Sequence, residues 1–179
     1  MSSQTVSLKG HSIVPIRDQD RYVIMQWRNE QIYHLRQSKL LDKESQDIYF
    51  DTVICNLFEV DRPSQILFSY LENGVCIGYG GLVHINWIDM NAELSFIMST
   101  SLEKERFQEI WSYFLKLIEK VAFEMLSFFK IYTYAFDVRP QLYRALESAG
   151  FTLDARLKGH CYFGGRYIDV VIHSKFNNK

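Results

Sequence analysis

Asn73-Gly74-Val75-Cys76-Ile77-Gly78-Tyr79-Gly80-Gly81-Leu82, followed by Ala92-Glu93-Leu94-Ser95-Phe96-Ile97, decides the fold of this chain. Asn73-Gly74 is the dipeptide that best tolerates the positive φ angles of a type I′ turn, so it closes a hairpin between Gln65–Glu72 and Val75–Ile88. Gly78, Gly80 and Gly81 in the second arm mark a bulge or a close approach by another backbone or a ligand. Asp89-Met90-Asn91 turns the chain again, and Ala92–Met98 returns as a third strand.

Beyond Ser99 the apolar period changes from two to 3.6. Phe107, Ile110, Trp111, Phe114, Ile118, Val121, Ala122 and Met125 share one face of a long amphipathic helix. Thr100 and Glu103 have the spacing of a capping box at its start. Lys130–Phe136 reads as a buried strand, Pro140 opens a short helix that Gly150 ends, and Gly164-Gly165 turns a final hairpin. Before the hairpin, His11–Ile16 is a short strand, and helical spacing covers 19–36 and Asp42–Leu57. The strand, long helix, strand unit demands a right-handed parallel crossover. The fold class is therefore α/β (α+β): a mixed, mostly antiparallel sheet of about six to seven strands with helices on both faces.

Composition agrees with a compact domain. Apolar residues make up 47% of the 179 and charged residues 23%, which is no recipe for disorder. A net charge of −1 argues against a nucleic-acid partner. Lys116, Glu119 and Lys120 interrupt the longest apolar region, which argues against a membrane span. Cys55, Cys76 and Cys161 form no CxxC pair and suggest neither a disulfide framework nor a zinc site, as expected of a reducing, cytoplasmic setting. Met1–Gly10 has neither a basic start nor an apolar stretch and reads as a loose lead-in to one domain over 11–179.

In an open sheet of this kind, ligands collect beyond the carboxyl ends of parallel strands, where a helix N-terminus offers free N–H groups. That points to Phe96 through Gln108 as the place for an anionic ligand.

The quoted hairpin and third strand resemble the centre of GNAT acyltransferases. Trp27-Arg28-Asn29, with Ile32 and Arg36, is similar to the first helix of the branch holding protein N-terminal acetylases and amino-sugar acetyltransferases. Ala145-Leu146-Glu147-Ser148-Ala149-Gly150-Phe151 resembles the family's late helix. The resemblance covers nearly the whole chain in order. It implies transfer of an acetyl group from acetyl-CoA to a primary amine of a small molecule or peptide, with no metal, and leaves a homodimer open.

By the same resemblance Glu93 matches the family's catalytic glutamate and is the candidate base. Tyr143, one turn before Leu146, is the candidate proton donor to the leaving thiolate, since many members carry a tyrosine where Leu146 stands. The backbone of Phe96, Ile97, Met98 and Ser99 lies where the pantetheine arm runs. The family's phosphate loop, Q/R-x-x-G-x-G/A, meets Glu103, Arg106 and Gln108 here, and Arg139 stands where an asparagine is common. Lys104 and Arg106 are then the candidate phosphate contacts. Arg28 on the first helix and His84 past the glycine-rich arm are candidate acceptor contacts, His84 as a proton relay.

Each has a plainer reading: Glu93 in an ion pair, Tyr143 in packing, Arg28 beside an acidic neighbour, His84 as a surface histidine. A GNAT-fold ligand-binding or protein-interaction module without acyl-CoA chemistry is the rival account. A gap filled by side chains at the start of the long helix favours it, and an open one favours the enzyme.

Overall fold

The structure, a computed structural model, describes residues 5–178. Its strands are β1 (Val6–Leu8), β2 (His11–Pro15), β3 (Ile66–Glu72), β4 (Val75–Asn86), β5 (Asn91–Met98), β6 (Lys130–Phe136), β7 (Thr152–Phe163) and β8 (Arg166–Phe176). Its helices are α1 (Arg21–Glu30), α2 (Lys43–Ile48), α3 (Cys55–Phe58), α4 (Thr100–Glu119) and α5 (Pro140–Ser148). One eight-stranded sheet holds the strands in the order β1-β2-β3-β4-β5-β6-β8-β7. Only β5 and β6 are paired in parallel, across the α4 crossover.

The sheet exceeds the expected six to seven strands because Val6–Leu8, read from sequence as loose lead-in, pairs antiparallel with His11–Ile13. Lys9 at φ 49 and Gly10 at φ 83 make the turn between them. Residues 1–4 of that lead-in lie outside the described residues. At the central hairpin Asn73 has φ 48 and Gly74 φ 84, as a type I′ turn requires. Gly80 is demanded by close approach, because a Cβ there would run into the Ser95 carbonyl of β5.

Alternation along the strands sorts side chains between two cores. Leu94, Phe96 and Met98 of β5 join Phe107, Ile110, Trp111 and Phe114 of α4, with Phe96 stacked on Phe114 at 3.9 Å between centroids. Ile97 points the other way, to Ile24 and Trp27 of α1 and to Phe50 and Ile54. Both faces are thus covered, and β5 is buried over nearly its whole length.

Two stretches read as plain α-helix are wound as π-helix, Tyr49–Ile54 and Lys120–Met125. The wider turn moves the apolar face, and Met125, assigned to the core by a 3.6 period, is 38% exposed. The expected capping box is also absent. The N-cap of α4 is Ser99, with no side-chain cap bond, while Thr100 Oγ1 accepts from Gln31 Nε2 and Glu103 turns toward Arg139. Among the described residues no helix is long and apolar enough to cross a membrane.

Candidate functional site

The parallel pairing of β5 with β6 ends after Asn91↔Lys130, Ala92↔Ile131 and Glu93↔Tyr132. Past that point the strands diverge and leave a cleft of about 200 Å³ between Leu94–Ile97 on one wall and Thr133–Phe136 on the other. Its β5 wall is a strand edge with no strand beside it, so main-chain groups there are free to pair with a ligand. Thr133 Oγ1 lines the same cleft, is buried, and has no hydrogen-bond partner. An orphaned hydroxyl beside an unpaired strand edge suits an amide-bearing ligand such as a pantetheine arm.

Glu93, 5% exposed, is placed at the apex by the last residue pair before the split. Its Oε1 is bound by the Arg36 guanidinium, and its Oε2 lies 2.8 Å from His84 Nδ1. Arg36 is stacked at 4.7 Å over the ring of Tyr134, which lines the cleft. Burial and the Cys161 thiol push the Tyr134 hydroxyl up to about 12, so it stays a protonated donor at neutral pH. Both the ion-paired reading of Glu93 and its placement at the cleft hold together, and His84 is joined to it directly.

Arg28 also lines the cleft, held by α1. Its Nη1 donates to the Tyr79 hydroxyl at 2.6 Å and its Nε to Gln37 Oε1 at 3.0 Å. Both partners are neutral, and no carboxylate among the described residues pairs with Arg28. The acidic neighbour expected by the plainer reading is not there.

The far end of the cleft is crowded. Gln31, 1% exposed, donates from Nε2 to the Met98 carbonyl at 2.8 Å, taking one of the main-chain acceptors at the end of the β5 edge. Arg139 reaches in from the N-cap of α5 and donates to Glu103 Oε1 at 3.3 Å. Burial, then the nearby Arg139 charge, holds His34 down to about 3, so that ring is neutral. Phe96, Ile97 and Met98 send their side chains into the two cores, so any part they play in the cleft is played by backbone. Ser99 Oγ lies 3.0 Å from Ser101 Oγ at the start of α4.

Two of the sequence candidates are placed elsewhere. Arg106 turns away from the cleft into a clamp of Glu72 and Glu109, with bonds of 2.6–3.0 Å, and so is engaged by carboxylates before any phosphate. Glu72, Glu109 and His11 have ligand atoms within 4.8 Å of one another, but that guanidinium binds both carboxylates. Tyr143 fails as the candidate acid because the helix turns Leu142, not Tyr143, to the cleft. Its hydroxyl donates to Asp137 Oδ1 at 2.6 Å, and burial and that carboxylate raise its pKa. Lys104 is exposed near the start of α4.

Thr133 and Tyr134 were not picked out by sequence reasoning, whereas Arg36 was expected with Arg28 on the first helix and comes instead from the segment after α1. Tyr132-Thr133-Tyr134 on a strand that reads as buried was the available signal, since three polar-tipped residues in succession do not suit a plain core.

A second pocket, lined by Phe58, Val60, Pro63 and Met125, is almost wholly apolar and carries no group able to do chemistry.

A family model described as an acetyltransferase (GNAT) domain matches residues 13–172. No curated protein matches the chain. Among solved structures, the spermidine N-acetyltransferase of Vibrio cholerae in complex with CoA and spermine is 18% identical, with a TM-score of 0.80 over 95% of this chain and 97% of that one. The ribosomal-protein-S5-alanine acetyltransferase of Vibrio fischeri is 13% identical, with a TM-score of 0.77 over 98% of each chain.

Proposed function

Since the chain belongs to the acetyltransferase (GNAT) domain family, we propose that it moves an acetyl group from acetyl-CoA to a primary amine that carries a negative charge. The observation that supports the anionic acceptor is Arg28, a half-buried guanidinium on the cleft wall whose hydrogen-bond partners among the described residues are neutral. A buried cation without a counter-charge is unfavourable until a ligand supplies one. Arg36 and Arg139 line the same cleft but are paired with Glu93 and Glu103, so Arg28 is the excess positive charge there among the described residues. A polyamine such as the Vibrio cholerae enzyme takes would meet repulsion here. An amine bearing a phosphate or carboxylate, with a nucleotide-linked amino sugar ahead of an acidic peptide N-terminus, meets attraction.

The donor's place is the split. Free main-chain groups of the β5 edge and the Thr133 hydroxyl would take the pantetheine amides, and Lys104 with the first N–H groups of α4 would take phosphate. Tyr134, kept protonated, is placed to donate toward the leaving sulfur. The Glu93–His84 pair stands at the apex, where the amine must lose its proton.

The test is acetyl-CoA-dependent release of free thiol against a panel of a sugar-nucleotide amine, a phosphorylated amino sugar, an acidic peptide and spermidine. We expect the anionic amines to be preferred, and Arg28→Met to cut their kcat/KM by roughly 10- to 100-fold, the worth of one charged contact, with little change for neutral amines. Preference for spermidine would overturn the anionic acceptor.

A second reading is favoured by Gln31 on the Met98 carbonyl and by the Arg139–Glu103 pair, which together fill the gap at the start of α4. That is the arrangement of a binding module that has given up acyl-CoA. Absence of acetyl-CoA binding in a calorimetric titration at millimolar ligand would establish it.

A further inference from the structure

We propose that His84, rather than Glu93, is the catalytic base that takes the proton of the acceptor amine, and that Glu93 is the positioning residue that holds the imidazole for it. The proposal rests on the acetyltransferase reading above and deepens it.

The first ground is occupancy. Both oxygens of Glu93 are engaged, one by Arg36 and one by His84. To accept a proton directly, Glu93 must release one of them, and release of Arg36 leaves a guanidinium without its counter-charge. Its side chain is 7% exposed, whereas that of His84 is 62% exposed. The carboxylate lines the cleft, and the imidazole bonded to it is by far the more exposed member of the pair.

The second ground is the tautomer. An ionised carboxylate only accepts hydrogen bonds, so the 2.8 Å contact requires the hydrogen on His84 Nδ1. The lone pair of the neutral ring is then on Nε2, and no described residue hydrogen-bonds that nitrogen. A buried acid fixing one ring nitrogen while the other faces substrate is the division of labour in the serine-hydrolase triad.

The third ground is the backbone. Between the pairs Val83↔Glu93 and Asn86↔Asn91, β4 carries His84 and Ile85 where β5 carries only Ala92. His84 sits in that bulge at φ 48, a left-handed conformation natural to glycine and unfavourable for histidine. A bulge of this kind re-aims a side chain. Here the bulge turns the ring onto Glu93. The other groups facing the pair are Arg36 from the segment after α1 and Tyr132 and Tyr134 from β6.

The step balances as follows. The acceptor arrives as an ammonium ion and passes one proton to His84 Nε2, and Glu93 steadies the resulting imidazolium through Nδ1–H. The freed nitrogen pair forms the C–N bond at the thioester carbonyl, and the C–S bond breaks with its electron pair on sulfur. Tyr134 passes its proton to that sulfur to give the thiol and is reprotonated from solvent, to which the second proton of the attacking nitrogen and the proton of the imidazolium both go.

The experiment is kcat/KM against pH for the wild type, His84→Ala and Glu93→Gln, using the best anionic amine of the panel, with an acetyl-CoA titration of each protein. We expect His84→Ala to lower kcat on the order of 10²- to 10⁴-fold, to lose the acid limb of the profile, to keep its acetyl-CoA affinity, and to regain rate when imidazole is added. Glu93→Gln should keep an acid limb, lower kcat less than His84→Ala does, and gain nothing from added imidazole, because the base is kept and only its positioning is lost. A His84→Ala enzyme with wild-type rate and profile, beside a Glu93→Gln enzyme without an acid limb, overturns the proposal and makes Glu93 the base. Failure of the wild type to bind acetyl-CoA removes the acetyltransferase reading itself, and the base with it.

Discussion

His34 carries the electrostatic consequence of crowding at the far end of the cleft. Its ring is packed beside the Arg139 guanidinium and held down to about 3, against about 6.5 in an open chain. Between those values the unfolded state binds more protons than the folded one, so this contribution to stability is whole above pH 6.5 and drains away as pH falls toward 3. His34→Gln should flatten that acid loss relative to the wild type. Because the ring is only partly covered, the difference should stay below the ~1.4 kcal/mol per pH unit of one fully linked proton, read from denaturant unfolding at several pH values. That Glu93 and Arg28 face one cleft was legible because a strand position and a helix position fix which face a side chain takes. Arg106 was misjudged because its partners, Glu72 and Glu109, are brought together by the fold, and an ion pair between distant positions leaves no periodic trace. The neutral company of Arg28 was invisible for the same reason.

At the scale of elements, the three-stranded meander β3-β4-β5 is the frame on which the apex is hung, and Gly80 is its tightest point. A methyl group there meets the Ser95 carbonyl and the Phe96 backbone, so β4 and β5 must separate or slip. Gly80→Ala should lower unfolding free energy by about 3 kcal/mol, the upper range for overpacking, and should also loosen the contact between Glu93 and His84, which depends on the same pairing. A denaturant midpoint with an unchanged m-value checks the first part. The meander, the α4 crossover and both hairpin turns could be read in advance because each has a local signature, in period or in paired residues with positive φ. The π-wound stretches could not, since their sequences keep an apolar face that suits either winding and tertiary packing chooses between them. The capping box failed likewise, because Gln31, far off in sequence, claims the threonine.

Across the whole molecule the two layers on the sheet are unequal. The α4–α5 side holds the larger aromatic core, whereas the α1–α3 side is short and leaves Ile48, Val53 and Phe58 exposed. Hydrogen exchange should therefore be faster at amides 43–58 than in β3–β5 or the middle of α4, by at least about tenfold, because sparsely buried elements open first. Arg28 comes from α1 and Arg36 from the segment after it, so both of these cleft guanidiniums are carried by that thinner side. The parting of β5 from β6 has a different consequence. What it offers a ligand is peptide groups, and peptide groups are the same whatever side chains are attached to them. Exchange of Phe96 or Met98 for another core residue of like size leaves that offer intact. Glutamate, arginine and glutamine can thus stand at 103, 106 and 108 while the split edge keeps the same main-chain groups. A likeness carried by the main chain can persist where side chains have ceased to agree.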